Sequence, residues 1–89
     1  IAVTSVNDIF VLNAWQQQSG AEGIEFLADG NAEFAKAIGL EMDGSGFGLG
    51  PRSQRYAMLV DDGVVRILNV EDTPSKAEVS GAEALLKVL

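Results

Sequence analysis

Residues 56–60, Tyr-Ala-Met-Leu-Val, and residues 64–70, Val-Val-Arg-Ile-Leu-Asn-Val, flank Asp61-Asp62-Gly63. Two apolar, β-rich runs around an acidic turn ending in Gly predict a β-hairpin. This is the clearest local signal in the chain. Around it the remaining elements can be laid out in order.

Residues 1–6 are apolar and β-branched, with Thr4 and Ser5 as mild interruptions, and predict a largely buried strand. Asn7 and Asp8 offer acceptors for the free N–H groups of a helix start. Ile9, Phe10, Val11, Leu12, Ala14 and Trp15 then form a broad apolar face, and Ser19-Gly20 stops the helix. Residues 24–28 predict a second short strand, closed by Asp29-Gly30. Asn31 is the expected cap of the next helix, with Glu33 in its first turn and Gly39 as its stop. Residues 40–54 predict a long irregular loop carrying Gly44, Gly46, Gly48, Gly50 and Pro51, the kind of segment that serves function or an interface. After the hairpin, residues 72–76 form a polar loop with Pro74. Ser80 and Glu83 then match a capping box ahead of the apolar stripe Ala82, Leu85, Leu86 and Leu89. The predicted order is β-α-β-α-β-β-α, an α/β arrangement with no internal repeat and no domain boundary.

Composition narrows the chemistry. With 6 basic and 13 acidic residues among 89, the formal charge is −7. That argues against nucleic acid, where phosphates need a surplus of Lys and Arg. These residues include no Cys and no His. They therefore supply no disulfide, thiolate nucleophile, histidine metal site or Ser-His-Asp triad. No apolar stretch approaches the ~20 residues of a membrane span, and no membrane partner is expected. The opening residues lack a basic region and a cleavage motif. The expected compartment is the cytoplasm, with an organelle as the alternative. The chain starts without Met inside an apolar run, as a fragment cut within a strand would.

The glycine-rich segment Gly44-Ser45-Gly46-Phe47-Gly48-Leu49-Gly50 fails as a nucleotide loop. Pro51 stands where the dinucleotide fingerprint needs its third Gly, and no Gly-Lys-Ser/Thr follows. Asp61 and Asp62 are ordinary turn residues, and Glu41 and Asp43 lack the ligand density of a calcium loop. No metal or cofactor is expected. Arg52 and Arg55 stand out as two of the 6 basic residues, placed where the loop enters a strand. Such an arginine can present a donor fork to an anion or thiolate. The plainer alternative is a surface salt bridge.

Four stretches in register carry a resemblance: Ser5-Val6-Asn7-Asp8-Ile9-Phe10-Val11, Phe26-Leu27-Ala28-Asp29-Gly30, Gly48-Leu49-Gly50-Pro51-Arg52-Ser53-Gln54-Arg55-Tyr56 and Asp62-Gly63-Val64-Val65. Together with Val79-Ser80-Gly81-Ala82-Glu83 they resemble the C-terminal half of the type II, redoxin-type peroxiredoxins, over essentially all 89 residues. The resemblance implies residues 1–89 as the C-terminal part of one thioredoxin-like domain with a mixed sheet. It implies a thiol peroxidase acting on hydrogen peroxide and alkyl hydroperoxides. The family's Pro-x-x-x-Thr-x-x-Cys motif is absent here, so these residues alone should be inactive. Arg55 matches the family's active-site arginine. Phe47 and Leu49, with Arg52 in the same loop, are the implied dimer interface. The implied partners are the N-terminal half of the domain, a second copy, and a thiol reductant such as thioredoxin, glutaredoxin or glutathione. The implied strand order sets residues 1–6 and 24–28 on one side of an absent strand and the hairpin on the other. On that order the 89 residues should not fold alone. The rival reading is a non-enzymatic thioredoxin-like module that binds through Phe47 and Leu49 or an open sheet edge.

Overall fold

A computed structural model describes residues 1–73, 75 and 77–89. Contacts cluster into two compact units, Ile1–Ser53 and Gln54–Leu89. The described strands form three two-stranded sheets, one parallel and two antiparallel. The parallel pair and the hairpin fall in separate sheets. Pro74, placed in the polar loop by sequence, lies outside the described residues.

In the first unit, β1 (Ala2–Ser5) pairs in parallel with β2 (Glu25–Ala28), from Ala2↔Glu25 to Ser5↔Ala28. The crossover is α1 (Ile9–Ser19). Asp8 caps it as expected, its Oδ1 accepting the Val11 N–H at 2.8 Å. At the other end Gly20 and Ala21 donate to the Gln17 and Gln16 carbonyls, a Schellman ending. The Gln16 side chain then donates to the carbonyls of Ala21 and Ile24, tying the helix exit to the start of β2. Leu12 is 2% exposed, and Trp15 meets Phe26 edge to face at 5.2 Å.

The second helix, α2 (Glu33–Ala37), corrects the expected cap. Asn31 does not serve. Ala32 adopts a left-handed conformation at φ 59°, and the first helical N–H groups turn towards Asp29. Its two oxygens accept from Phe34 and Ala35, each at 3.0 Å. Ala32 and Ala35 pack with Val6 into the small buried cluster of this unit. Gly39 ends the helix as expected, with Leu40 N–H donating to the Ala35 carbonyl.

Residues 40–54 are also more regular than expected. β3 (Glu41–Asp43) and β4 (Pro51–Ser53) pair antiparallel, joined through a 3-10 turn at Ser45–Phe47. The Gly44 N–H donates to the Gly50 carbonyl at 2.7 Å, and Asp43 accepts the Ser45 N–H at 2.9 Å. A Cβ on Gly44 would stand 3.0 Å from both the Gly50 oxygen and the Leu49 Cβ. The loop closes this tightly only over a residue without a side chain. Strands of three residues without β-branched runs carry no periodic signal, which is why the segment reads as irregular.

In the second unit, β5 (Tyr56–Asp61) and β6 (Val64–Val70) form the predicted hairpin. Asp62 at φ 51° and Gly63 at φ 78° make the two-residue turn with both residues left-handed, which matches the twist of the strands. A bulge at Leu59/Val60 leaves Arg66 as the extra residue, since Leu59 faces Ile67 and Val60 faces Val65. α3 (Ala82–Lys87) packs on β5. The expected capping box does not form. Gly81 holds the cap position without a side-chain bond, Ser80 bonds elsewhere, and Glu83 lies 4.0 Å from Lys87 on the exposed face.

Candidate active site

Arg55 immediately precedes β5, and its side chain is exposed. The ladder between β5 and β6 ends at Tyr56↔Val70, and one further backbone bond extends it. The Glu71 N–H donates to the Arg55 carbonyl at 2.9 Å. Arg55 and Glu71 therefore face each other across the end of the hairpin. Among the described residues, no ion pair within 4.0 Å involves Arg55. The plainer reading of Arg55 as half of a surface salt bridge finds no partner there.

Glu71 was not singled out by sequence, yet among the described residues it is the one buried polar or charged side chain, at 7% exposure. One carboxylate oxygen, Oε2, accepts the Ser80 N–H at 2.7 Å and the Ser80 hydroxyl at 2.6 Å. The hydroxyl bond is the main cause holding the Glu71 carboxyl below its ordinary value of 4.5. Burial opposes it, and the Ser80 and Val79 backbone bonds and the Arg55 charge add to it. The only sequence hint is an acidic residue closing a β-rich run, which looks like any solvated strand end.

Arg52 occupies a different setting. It is half-buried on β4, where Nε donates to the Leu49 carbonyl at 3.0 Å and Nη1 to the Val6 carbonyl at 2.5 Å. Its guanidinium ties the end of β1 to the glycine-rich turn. Phe47, in that turn, is 87% exposed, and Leu49 is half exposed. Asp43 beside them is held below its usual range, first by its side-chain bond with Ser45. Among the described residues, no cluster of acids could hold a metal ion, and no helix is long and apolar enough to cross a membrane.

Residues 1–86 match the redoxin family. The chain belongs to that family. Its relatives are peroxiredoxins. It is 45% identical over 87 residues to the mitochondrial peroxiredoxin-2F of Arabidopsis thaliana, covering 97% of this chain and 43% of that protein. It is 48% identical over 93 residues to the chloroplastic peroxiredoxin-2E-2 of Oryza sativa, covering 100% of this chain and 41% of that protein. Among solved structures, reduced Prx3 of Vibrio vulnificus in complex with hydrogen peroxide is 60% identical. It superposes with a TM-score of 0.91 over 100% of this chain and 57% of the other. The redoxin chain thus spans about half the length of the relatives it matches. The thioredoxin-like α/β class expected from sequence agrees with these neighbours.

Proposed function

We propose that this redoxin chain is part of a thiol-dependent peroxidase, in which Arg55 serves a peroxidatic cysteine supplied by a segment outside these residues. The observation that carries the reading is the state of Arg55. Its backbone is anchored at the hairpin end, while its guanidinium is exposed and makes no ion pair within 4.0 Å among the described residues. A rigidly rooted, unneutralised guanidinium is suited to an anionic thiolate and to peroxide oxygens.

In the reaction, the thiolate sulfur attacks one peroxide oxygen and the O–O bond breaks. The departing oxygen takes a proton and leaves as water or an alcohol, and the sulfur becomes a sulfenic acid. Two reductant thiols return it to the thiol, giving a disulfide and water. Arg55 holds the thiolate form and orients the oxygens. The reductant class is thioredoxin, glutaredoxin or glutathione.

The second copy in a homodimer meets Phe47 and Leu49, since exposed apolar side chains on a turn favour such a contact. Arg52 is assigned to the same surface through the loop that it anchors. The groove of about 430 Å³ along α1 and β2, walled by Phe10 and Phe26 with Asn13 and Gln16 beside them, is covered by the remainder of the domain. The relatives' names include a mitochondrial and a chloroplastic protein, so an organelle stands beside the cytoplasm as the working compartment.

The test is peroxide reduction by the complete protein carrying Arg55→Ala. A rate lowered by one to two orders of magnitude is expected. A rate equal to that of the unsubstituted protein would remove Arg55 from the active site.

A further inference from the structure

We infer that Glu71 is the positioning residue for Arg55, a fixed counter-charge that directs the guanidinium without neutralising it. The inference rests on the proposed role of Arg55. Tyr56 pairs with Val70, so Arg55 and Glu71 stand one step further along the same antiparallel ladder. Residues directly opposite in such a ladder project their side chains to one face, with Cβ atoms about 4.5–5.5 Å apart. The two side chains therefore start as cross-strand neighbours of opposite charge.

Glu71 does not close on Arg55 into a forked ion pair. Its Oε2 is held by the N–H and hydroxyl of Ser80, from nine residues further along the chain. The carboxylate is buried while the guanidinium is exposed. A carboxylate held this way cannot swing out to follow a mobile arginine. It attracts the guanidinium towards its own face of the hairpin and leaves the outer N–H donors open for a ligand. The Arg55 charge in turn adds to the causes that keep Glu71 ionised. Ser80, at the entry to α3, thereby reaches Arg55 through Glu71.

The experiment is a double-mutant cycle on peroxide reduction in the complete protein, with Glu71→Gln, Arg55→Ala and both together. Glu71→Gln keeps an oxygen acceptor for Ser80 and removes the charge. It should lower kcat/KM about three- to tenfold in the native background, a coupling of ordinary size for residues in contact. It should have no further effect once Arg55 is Ala. A purely structural role would lower the rate equally in both backgrounds, and that result, or no effect in either, would overturn the inference. If Arg55→Ala itself leaves the rate unchanged, the proposed site fails first, and the two failures are distinct. Should Glu71→Gln fold poorly, Ser80→Ala replaces it. That variant frees the carboxylate from the hydroxyl while keeping its charge, and its effect on rate must likewise vanish in the Arg55→Ala background.

Discussion

Ser80 donates both its backbone N–H and its hydroxyl to the same oxygen of Glu71, at 2.7 and 2.6 Å. The bond joins the end of β6 to the entry of α3 and puts a buried carboxylate opposite the backbone of Arg55. It removes Ser80 from helix capping and gives the second unit its buried charge. The stability of that unit should consequently depend on the ionisation of Glu71.

The sign follows from the direction of the shift. The Glu71 carboxyl lies below 4.5 in the folded chain, so its stabilising contribution is complete above the unfolded value and is lost as pH falls through the folded one. Urea unfolding of the complete protein between pH 7 and pH 3 should show a midpoint that drops on the acid side. In Glu71→Gln that acid drop should be smaller. Parallel pH profiles would assign the drop to other carboxylates.

Asp29 should matter more to α2 than Asn31 does. Both oxygens of Asp29 accept helical N–H groups, whereas the Asn31 amide reaches only Glu33 at 3.5 Å. Asp29→Ala is expected to destabilise by about 1–2 kcal/mol, the usual range for losing a cap. Asn31→Ala should stay within about 0.5 kcal/mol of the parent, as surface changes do. Denaturant midpoints compare the two, and equal losses would contradict this assignment.

Gly44→Ala should destabilise by about 1–3 kcal/mol, because the new methyl meets the Gly50 carbonyl and Leu49 Cβ at 3.0 Å. Gly46→Ala, with nothing within 4 Å of its Cβ position, is the matched control. Thermal unfolding should separate the pair by several degrees. A neutral Gly44→Ala would mean that the turn opens without loss.

Phe47 and Arg52 should separate assembly from stability. Arg52→Ala removes two charged hydrogen bonds to carbonyls and should lower stability, each bond contributing about 1.5–3 kcal/mol. Phe47→Asp, at a side chain 87% exposed, should leave stability nearly unchanged and shift the complete protein towards monomer in sedimentation. An unaltered sedimentation profile would withdraw Phe47 from the dimer contact.

Replacing Arg55 by Ala should raise the pKa of the peroxidatic thiol in the complete protein, since a nearby positive charge favours the thiolate. Thiolate absorbance against pH provides the measurement. A fall in that pKa would mean that Arg55 does not face the sulfur.

What the sequence by itself determined are the features whose partners lie within a turn or two. The Asp62-Gly63 hairpin, the Asp8 cap and the helix endings at Gly20 and Gly39 are of this kind. In each, donor and acceptor stand a few residues apart, so residue type and spacing already imply the bond. Sequence also singled out Arg55, as one of few basic residues at a loop-to-strand junction within a motif that resembles a known family, and its role is the one proposed above. Other features were decided only by the path of the chain. Ala32 turned left-handed and brought the α2 N–H groups to Asp29, five and six residues back, leaving Asn31 aside. Met42 paired with Arg52 across a glycine-rich turn that a Cβ at position 44 would crowd. Ser80 bonds an acceptor nine residues away instead of its own helix. Arg52 found the Val6 carbonyl 46 residues distant. Over such separations a polar group has many acceptors within its reach in sequence, and only the folded backbone decides which of them stands at hydrogen-bonding distance.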